Sequence, residues 1–211
     1  LPESGSGQTN SVSADAHGAV YVAGYSYGSI LNGDVSQGGQ DGFVTKFDAG
    51  GNLVWTRLVS GSSNDSVKSV FAGSDGAIYV AGETNSSLNG QVIQGAPNTT
   101  NGFVVKLDAD DGALAWTHLI GGSNNELIKS VSADADGVVY IAGETYSSSL
   151  NGQNNQGNVA GFVSKILPAS LTQVTFAPGS ATATLTLTAT ADVASEGNES
   201  VIVTVIAGQG Y

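Results

Sequence analysis

The chain has 211 residues, with 18 acidic and 6 basic side chains, a net charge of −12 at pH 7 and no cysteine. That balance excludes a nucleic-acid surface, which needs clustered Lys and Arg to displace counterions, and it disfavours an anionic membrane surface while attracting metal cations. Missing cysteine rules out a disulfide framework and thiol chemistry, 40% hydrophobic content rules out a disordered chain, and no stretch approaches the ~20 apolar residues of a membrane span.

Charged residues make up only 11% of the chain, against roughly 25% in ordinary soluble domains. The surface is therefore neutral and polar, rich in Ser, Thr, Asn and Gly. The sequence opens at Leu1 and not Met, and reads as a processed or excised piece of something longer. This composition is associated with bacterial secreted repeat proteins, so the expected location is extracellular or on the cell surface.

In chain order, the first feature is a phrase that returns. "SVSADAHGAVYVAG" starts at Ser11, "SVFAGSDGAIYVAG" at Ser69 and "SVSADADGVVYIAG" at Ser130, with spacings of 58 and 61 residues. Gly42-Phe43-Val44, Gly102-Phe103-Val104 and Gly161-Phe162-Val163 keep the same register, as do Lys46, Lys106 and Lys165, and Trp55 and Trp116. A fixed period of this size means one supersecondary unit repeated, each burying its face on its neighbours.

Each unit holds four short strand candidates. In the second they are Ser66–Ala72, Ala77–Ala81, Gly102–Leu107 and Ala113–Leu119, apolar or alternating and separated by Gly, Asn or Asp. No helical period is longer than a turn. Val20, Tyr21, Val22, Ile78, Val80, Val139 and Ile141 should occupy central strands. Phe43, Phe103, Phe162, Trp55 and Trp116 should pack between neighbouring sheets. Four strands and a recurring Trp are the signature of a propeller blade. The predicted fold is all-β: three four-stranded propeller-type repeats in an incomplete array, with units near 4–65, 66–126 and 127–166 inside 1–167. The third unit stops early, because Leu167 stands where Asp48 and Asp108 occur in the other two. A partial β-sandwich follows over 168–211. There Thr182, Thr184, Thr186 and Thr188 alternate with Ala183, Leu185, Leu187 and Ala189, and "SVIVTVIA" supplies a second strand.

The repeat, a Trp strand followed by "GAIYVAGETNSSLNGQ" and "GFVVKLDADDG", resembles the bacterial SBBP family of β-propeller repeats from about Ser4 to Ile166. That resemblance implies a propeller-like fold on secreted or cell-surface proteins, and no activity. The segment from Leu171 to Tyr211, with "VTFAPGS" and "DVASEGNES", resembles the back half of a Calx-β domain.

Several patterns touch on chemistry. "DADG" (Asp134–Gly137) and "DADDG" (Asp108–Gly112) look like the acidic start of a calcium loop, which would make Asp134 and Asp136 ligands. The bidentate Glu of such a loop is absent. The aligned loops "DAHG" and "GSDG" vary in acid content, as turns may, so a hairpin turn is the preferred reading. The Calx-β resemblance implies calcium at Asp192, Glu196 and Glu199, and a solvated acidic loop is the competing reading. "GYSYG" (Gly24–Gly28) matches a nucleophile-elbow pattern, but the aligned copies read "GETNS" and "GETYS", so Ser26 is a repeat position. His17 and His118 do not recur. Lys68/Glu83 and Lys129/Glu144 recur as salt links or rim charges.

No catalytic constellation emerges, and an enzyme is not expected. The leading reading is a structural protein that self-associates through β-strand edges, as a homo-oligomer or polymer. The alternative is an extracellular module whose "SLNGQ" loops bind a glycan or protein. Nucleic acid is not expected as a partner.

Overall fold

The computed structural model describes residues 6–167 apart from positions 29, 32, 33 and 97. The expected C-terminal sandwich and its acidic loop lie outside the described residues. Within them the chain is all-β, with no helix.

The first sheet runs β1 (Gly7–Ala14), β2 (Val20–Ser26), β5 (Asp41–Phe47) and β6 (Leu53–Val59) in that spatial order. A small ribbon, β3 (Ile30–Leu31) with β4 (Asp34–Val35), interrupts it after β2. The second sheet repeats the plan with β7 (Asp65–Ala72), β8 (Ala77–Thr84), β9 (Asn101–Asp108) and β10 (Leu114–Ile120). The third contains β11 (Glu126–Ala133), β12 (Val139–Thr145) and β15 (Ala160–Ile166), with the ribbon β13 (Ser149–Leu150) and β14 (Gln153–Asn154) between the last two. All neighbours are antiparallel. Two sheets thus have four strands, and the third has three among the described residues.

The returning phrase has a backbone cause at both of its glycines. Gly18, Gly76 and Gly137 sit at φ of +84°, +75° and +76° in the first hairpin of each sheet, a region that L side chains rarely enter. The later glycine answers a β-bulge. Pairing of the first two strands skips one residue between Thr9 and Ser11, between Val67 and Ser69, and between Ile128 and Ser130. The bulge drives a carbonyl onto the partner strand. A Cβ at Gly24, Gly82 or Gly143 would collide with the carbonyl of Gln8, Ser66 or Leu127. In the second and third sheets, the cross-strand Phe103 and Phe162 also lie against that glycine.

The sheets stack face to face and enclose two cores. Tyr21, Ala23, Val44 and Trp55 of the first sheet pack on Val67, Val70, Ile78, Val80, Phe103 and Val105 of the second. Tyr79, Ala81, Val104 and Ile120, on the other face of the second sheet, pack on Ile128, Val131, Val139 and Ile141 of the third. The middle sheet is covered on both faces, so β8 is buried almost throughout. This is why "AIYVA" runs apolar without alternating. Trp116 and Phe162 are partly buried against the second core. Three expected core residues differ. Phe43 is buried but belongs to neither inter-sheet core, because its neighbour Val44 is the one that faces the second sheet. Val20 and Val22 lie in a central strand as predicted but are only half-buried, because they face away from the second sheet.

Candidate functional site

The densest polar feature is a cluster that repeats with the sheets. In the first, Asp15 accepts from the amides of His17 (2.9 Å) and Ala19 (3.0 Å) and from the Tyr21 hydroxyl (3.2 Å). Lys46 stands over the Tyr21 ring at 5.7 Å, and Trp55 lies 6.0 Å from it. The third sheet repeats this with Asp134, Tyr140 and Lys165. The second uses Tyr79, Lys106 and Trp116, but its carboxylate comes from Asp75, aligned two residues later. Asp75 takes the Tyr79 hydroxyl at 2.7 Å and Lys106 at 3.0 Å. Gly73 fills the position of Asp15 and Asp134. A side chain there would strike the Asp75 carboxylate and the Tyr79 ring.

Electrostatics follow the bonding. Partial burial works against ionisation of Asp75, yet the bonds from Tyr79 and Lys106 hold its carboxyl below the usual range. Burial and the Asp15 carboxylate push Tyr21 up to about 12. Asp75 therefore stays ionised and Tyr21 protonated at neutral pH, as a structural link requires.

The cluster also reaches the next sheet. Lys46 Nζ and Trp55 Nε1 both donate to the Ala109 carbonyl, at 2.7 and 3.3 Å. Arg57 donates to the carbonyls of Gly112 (3.2 Å) and Asp111 (2.7 Å). The "DADDG" turn of the second sheet is therefore held by the first. Along the inner strands, the amides of Val70 and Ala72 donate to Ser11 and Ser13, and that of Val131 to Ser69. Asn10, at the bulge, donates to the Val67 carbonyl.

The residues weighed from sequence fall as follows. Asp134 and Asp136 share one turn, where the Asp134 carboxylate accepts from the amides of Asp136 and Val138. Asp108 and Asp111 likewise accept from Asp110 and Ala113. The acidic loops form hairpin turns of this kind. Among the described residues no group of three or more His, Asp or Glu is placed to hold a metal ion. Asp192, Glu196 and Glu199 lie outside the described residues. Ser26 ends a strand and accepts the Gly28 amide, without the following helix that a nucleophile elbow needs. His17 is exposed at a turn. Lys68 pairs with Glu83 at 3.3 Å and Lys129 with Glu144 at 3.8 Å, each linking a bulge to the adjacent strand. Asn10 and Tyr25 take those positions in the first sheet.

The "SLNGQ" loops are less free than an exposed loop. Leu88 is fully buried and closes a two-residue turn with Gln91 through two backbone bonds. Asn89 and Gly90 have φ of +50° and +84°, the signature of a tight Asn-Gly hairpin turn. Leu150, Asn151 and Gly152 repeat the device.

Sequence reasoning missed three buried acids, Asp41, Asp65 and Glu126. Asp65 and Glu126 open β7 and β11, and both are fully buried. Their backbone amides donate to the carbonyls of Gln40 and Thr100 in the preceding sheet. Their carboxylates accept the amides of Gly61 (2.7 Å) and Gly122 (2.8 Å) four residues back. Thr145 and Ser147 also donate to Glu126. Burial, with the nearby Asp41, pushes Asp65 up to about 6. The signal lay in the aligned "NDS" and "NEL", an acid at one repeat position in two copies.

No family model matches the chain. Over 122 residues, 56% of this chain and 13% of the other, it is 29% identical to the regulatory protein FlaEY of Caulobacter vibrioides. Over 129 residues, 54% of this chain and 9% of the other, it is 27% identical to an uncharacterized WD repeat-containing protein of Acanthamoeba polyphaga mimivirus. The chain thus spans about a tenth of the length of these relatives, and the likeness supports a repeat-type β-fold.

Proposed function

We propose that this chain is a non-enzymatic structural module of a secreted or cell-surface assembly, joined to further copies through strand edges. The observation that carries this is the third sheet. β6 and β10 complete the first two sheets, whereas the outer edge of β15 has no partner strand among the described residues. An unpaired edge presents a row of amides and carbonyls that pairs readily with another chain. The polar clusters support the same reading, because their carboxylates are committed to turns and to tyrosines.

The test supplies a strand for that edge. A peptide with the sequence of Leu114–Ile120 should occupy the β15 edge and suppress self-association of the intact chain in sizing experiments. Association that persists at saturating peptide would refute edge pairing. A second reading, recognition of a glycan or protein, rests on the tight ribbons, whose buried leucines hold two-residue Asn-Gly tips in fixed positions. A glycan array probed with the intact chain addresses it.

A further inference from the structure

The molecule makes one kind of sheet-to-sheet contact twice. One side of that contact contributes a tyrosine, a valine and a lysine from the second and third strands, with serines on the inner strand. These are Tyr21, Val44, Lys46, Ser11 and Ser13 at the first contact. The other side contributes an inner-strand valine, two central-strand aliphatics and a turn carbonyl. These are Val70, Ile78, Val80 and Ala109.

Parts of both outer faces carry these same sets, with no other sheet of the described residues packed on them. On the third sheet, Ser130, Ser132, Tyr140, Val163 and Lys165 stand at the positions of Ser11, Ser13, Tyr21, Val44 and Lys46. Val163 is 77% exposed and Tyr140 38%, whereas Val44, Val104, Tyr21 and Tyr79 are fully buried. On the first sheet, Val12 is 67% exposed, whereas its counterparts Val70 and Val131 are 5%. Val20 and Val22 are half-buried beside it. Ala49, in the turn after β5, holds the position of Ala109.

An open apolar sheet face alone names no partner. Here the two open faces are the two halves of a contact already made twice within the chain. We infer that the outer face of β12 and β15 docks on the outer face of β1 and β2 of a second copy, as a further instance of that contact. Lys165 would then reach the Ala49 carbonyl as Lys46 reaches Ala109. The inference rests on the assembly reading above but uses sheet faces and not the β15 edge. Such a contact is head-to-tail, and it closes a ring only if its rotation fits. Two copies would supply six sheets, within the usual four to eight of closed propellers.

Sedimentation of the intact chain across a concentration series tests this. Wild type should associate at micromolar concentration. Val12→Glu and Val163→Glu should each weaken association about 100-fold, an effect of two desolvated contacts' size. Mixing the two variants should restore a heterodimer, because one retains a sound third sheet and the other a sound first sheet. Tyr140→Lys gives an independent probe should Val163→Glu misfold. A wild type that stays monomeric to about 100 µM, or variants that associate as wild type does, would overturn the inference. Association blocked by the strand peptide but not by the face variants would sink face docking and leave edge pairing standing. The reverse pattern would sink edge pairing and support face docking.

Discussion

The Tyr79 hydroxyl donates to Asp75 four residues before it, whereas Tyr21 and Tyr140, at the same repeat position, reach Asp15 and Asp134 six residues before them. The carboxylate has moved two places along the turn, and the vacated place has become Gly73. The repeat conserves a contact here and not a residue position. Asp75→His should therefore cost about 1–3 kcal/mol, because Tyr79 loses its carboxylate partner and Lys106 its ion pair. Gly73→Asp alone should also destabilise. The double change Gly73→Asp/Asp75→His, which writes the first repeat's pattern into the second, should recover most of the loss. Urea unfolding of the four proteins gives the coupling, and strictly additive costs would disprove the exchange.

Asp65 predicts an acid-side stability maximum for its own contribution. Its carboxyl sits at about 6 when folded, raised from an ordinary value of 3.8. The folded chain thus holds this proton more tightly than the unfolded chain does. Stability from this group is greatest below about pH 4 and falls as pH rises to about 6. Asp65→Asn should remove that fall, gaining on the order of 2 kcal/mol relative to wild type at pH 7 and little at pH 4. Equal effects of the substitution at both values would show that the group is not perturbed.

Phe103 is fully buried in the first core and lies against Gly82. Phe103→Ala should cost about 3–5 kcal/mol. Gly82→Ala should be comparably harmful without removing any apolar surface, since its Cβ meets the Ser66 carbonyl. A cost below about 1 kcal/mol for either, measured by chemical denaturation, would contradict the packing described.

The Calx-β resemblance implies calcium at Asp192, Glu196 and Glu199, and an ion held there would make thermal stability depend on it through mass action. Chelator should lower the melting temperature and added calcium restore it, with Glu196→Gln abolishing the response. A melt indifferent to both would remove the calcium that the resemblance implies.

The architecture was legible because apolar runs such as "AIYVAG" and the period near sixty residues both depend on stacking, which every copy must satisfy. Turn acids were legible for a similar reason, since an aspartate followed by glycine solves a local backbone problem. The buried Asp65 and Glu126 were not. A lone acid at a strand start looks like an exposed one until the neighbouring sheet covers it. The inter-sheet grip of Lys46 and Arg57 was equally hidden, because its acceptors are carbonyls and leave no mark in the residue alphabet. Val20 and Val22 show the converse: the pattern that marks a core residue is the same whether or not a sheet lies beyond it.

The hydrogen bonds that join one sheet to the next run to or from the main chain: to the carbonyls of Val67, Ala109, Asp111 and Gly112, and from the amides of Val70, Ala72, Val131, Asp65 and Glu126. A joint of this kind reads the path of the neighbour's backbone and is largely indifferent to its side chains. The hydrogen-bonded part of each seam would then tolerate exchange of a repeat, while the apolar cores between sheets still require complementary side chains. Divergence such as the two-residue shift of Asp75 can accumulate inside a repeat while its seams stay compatible.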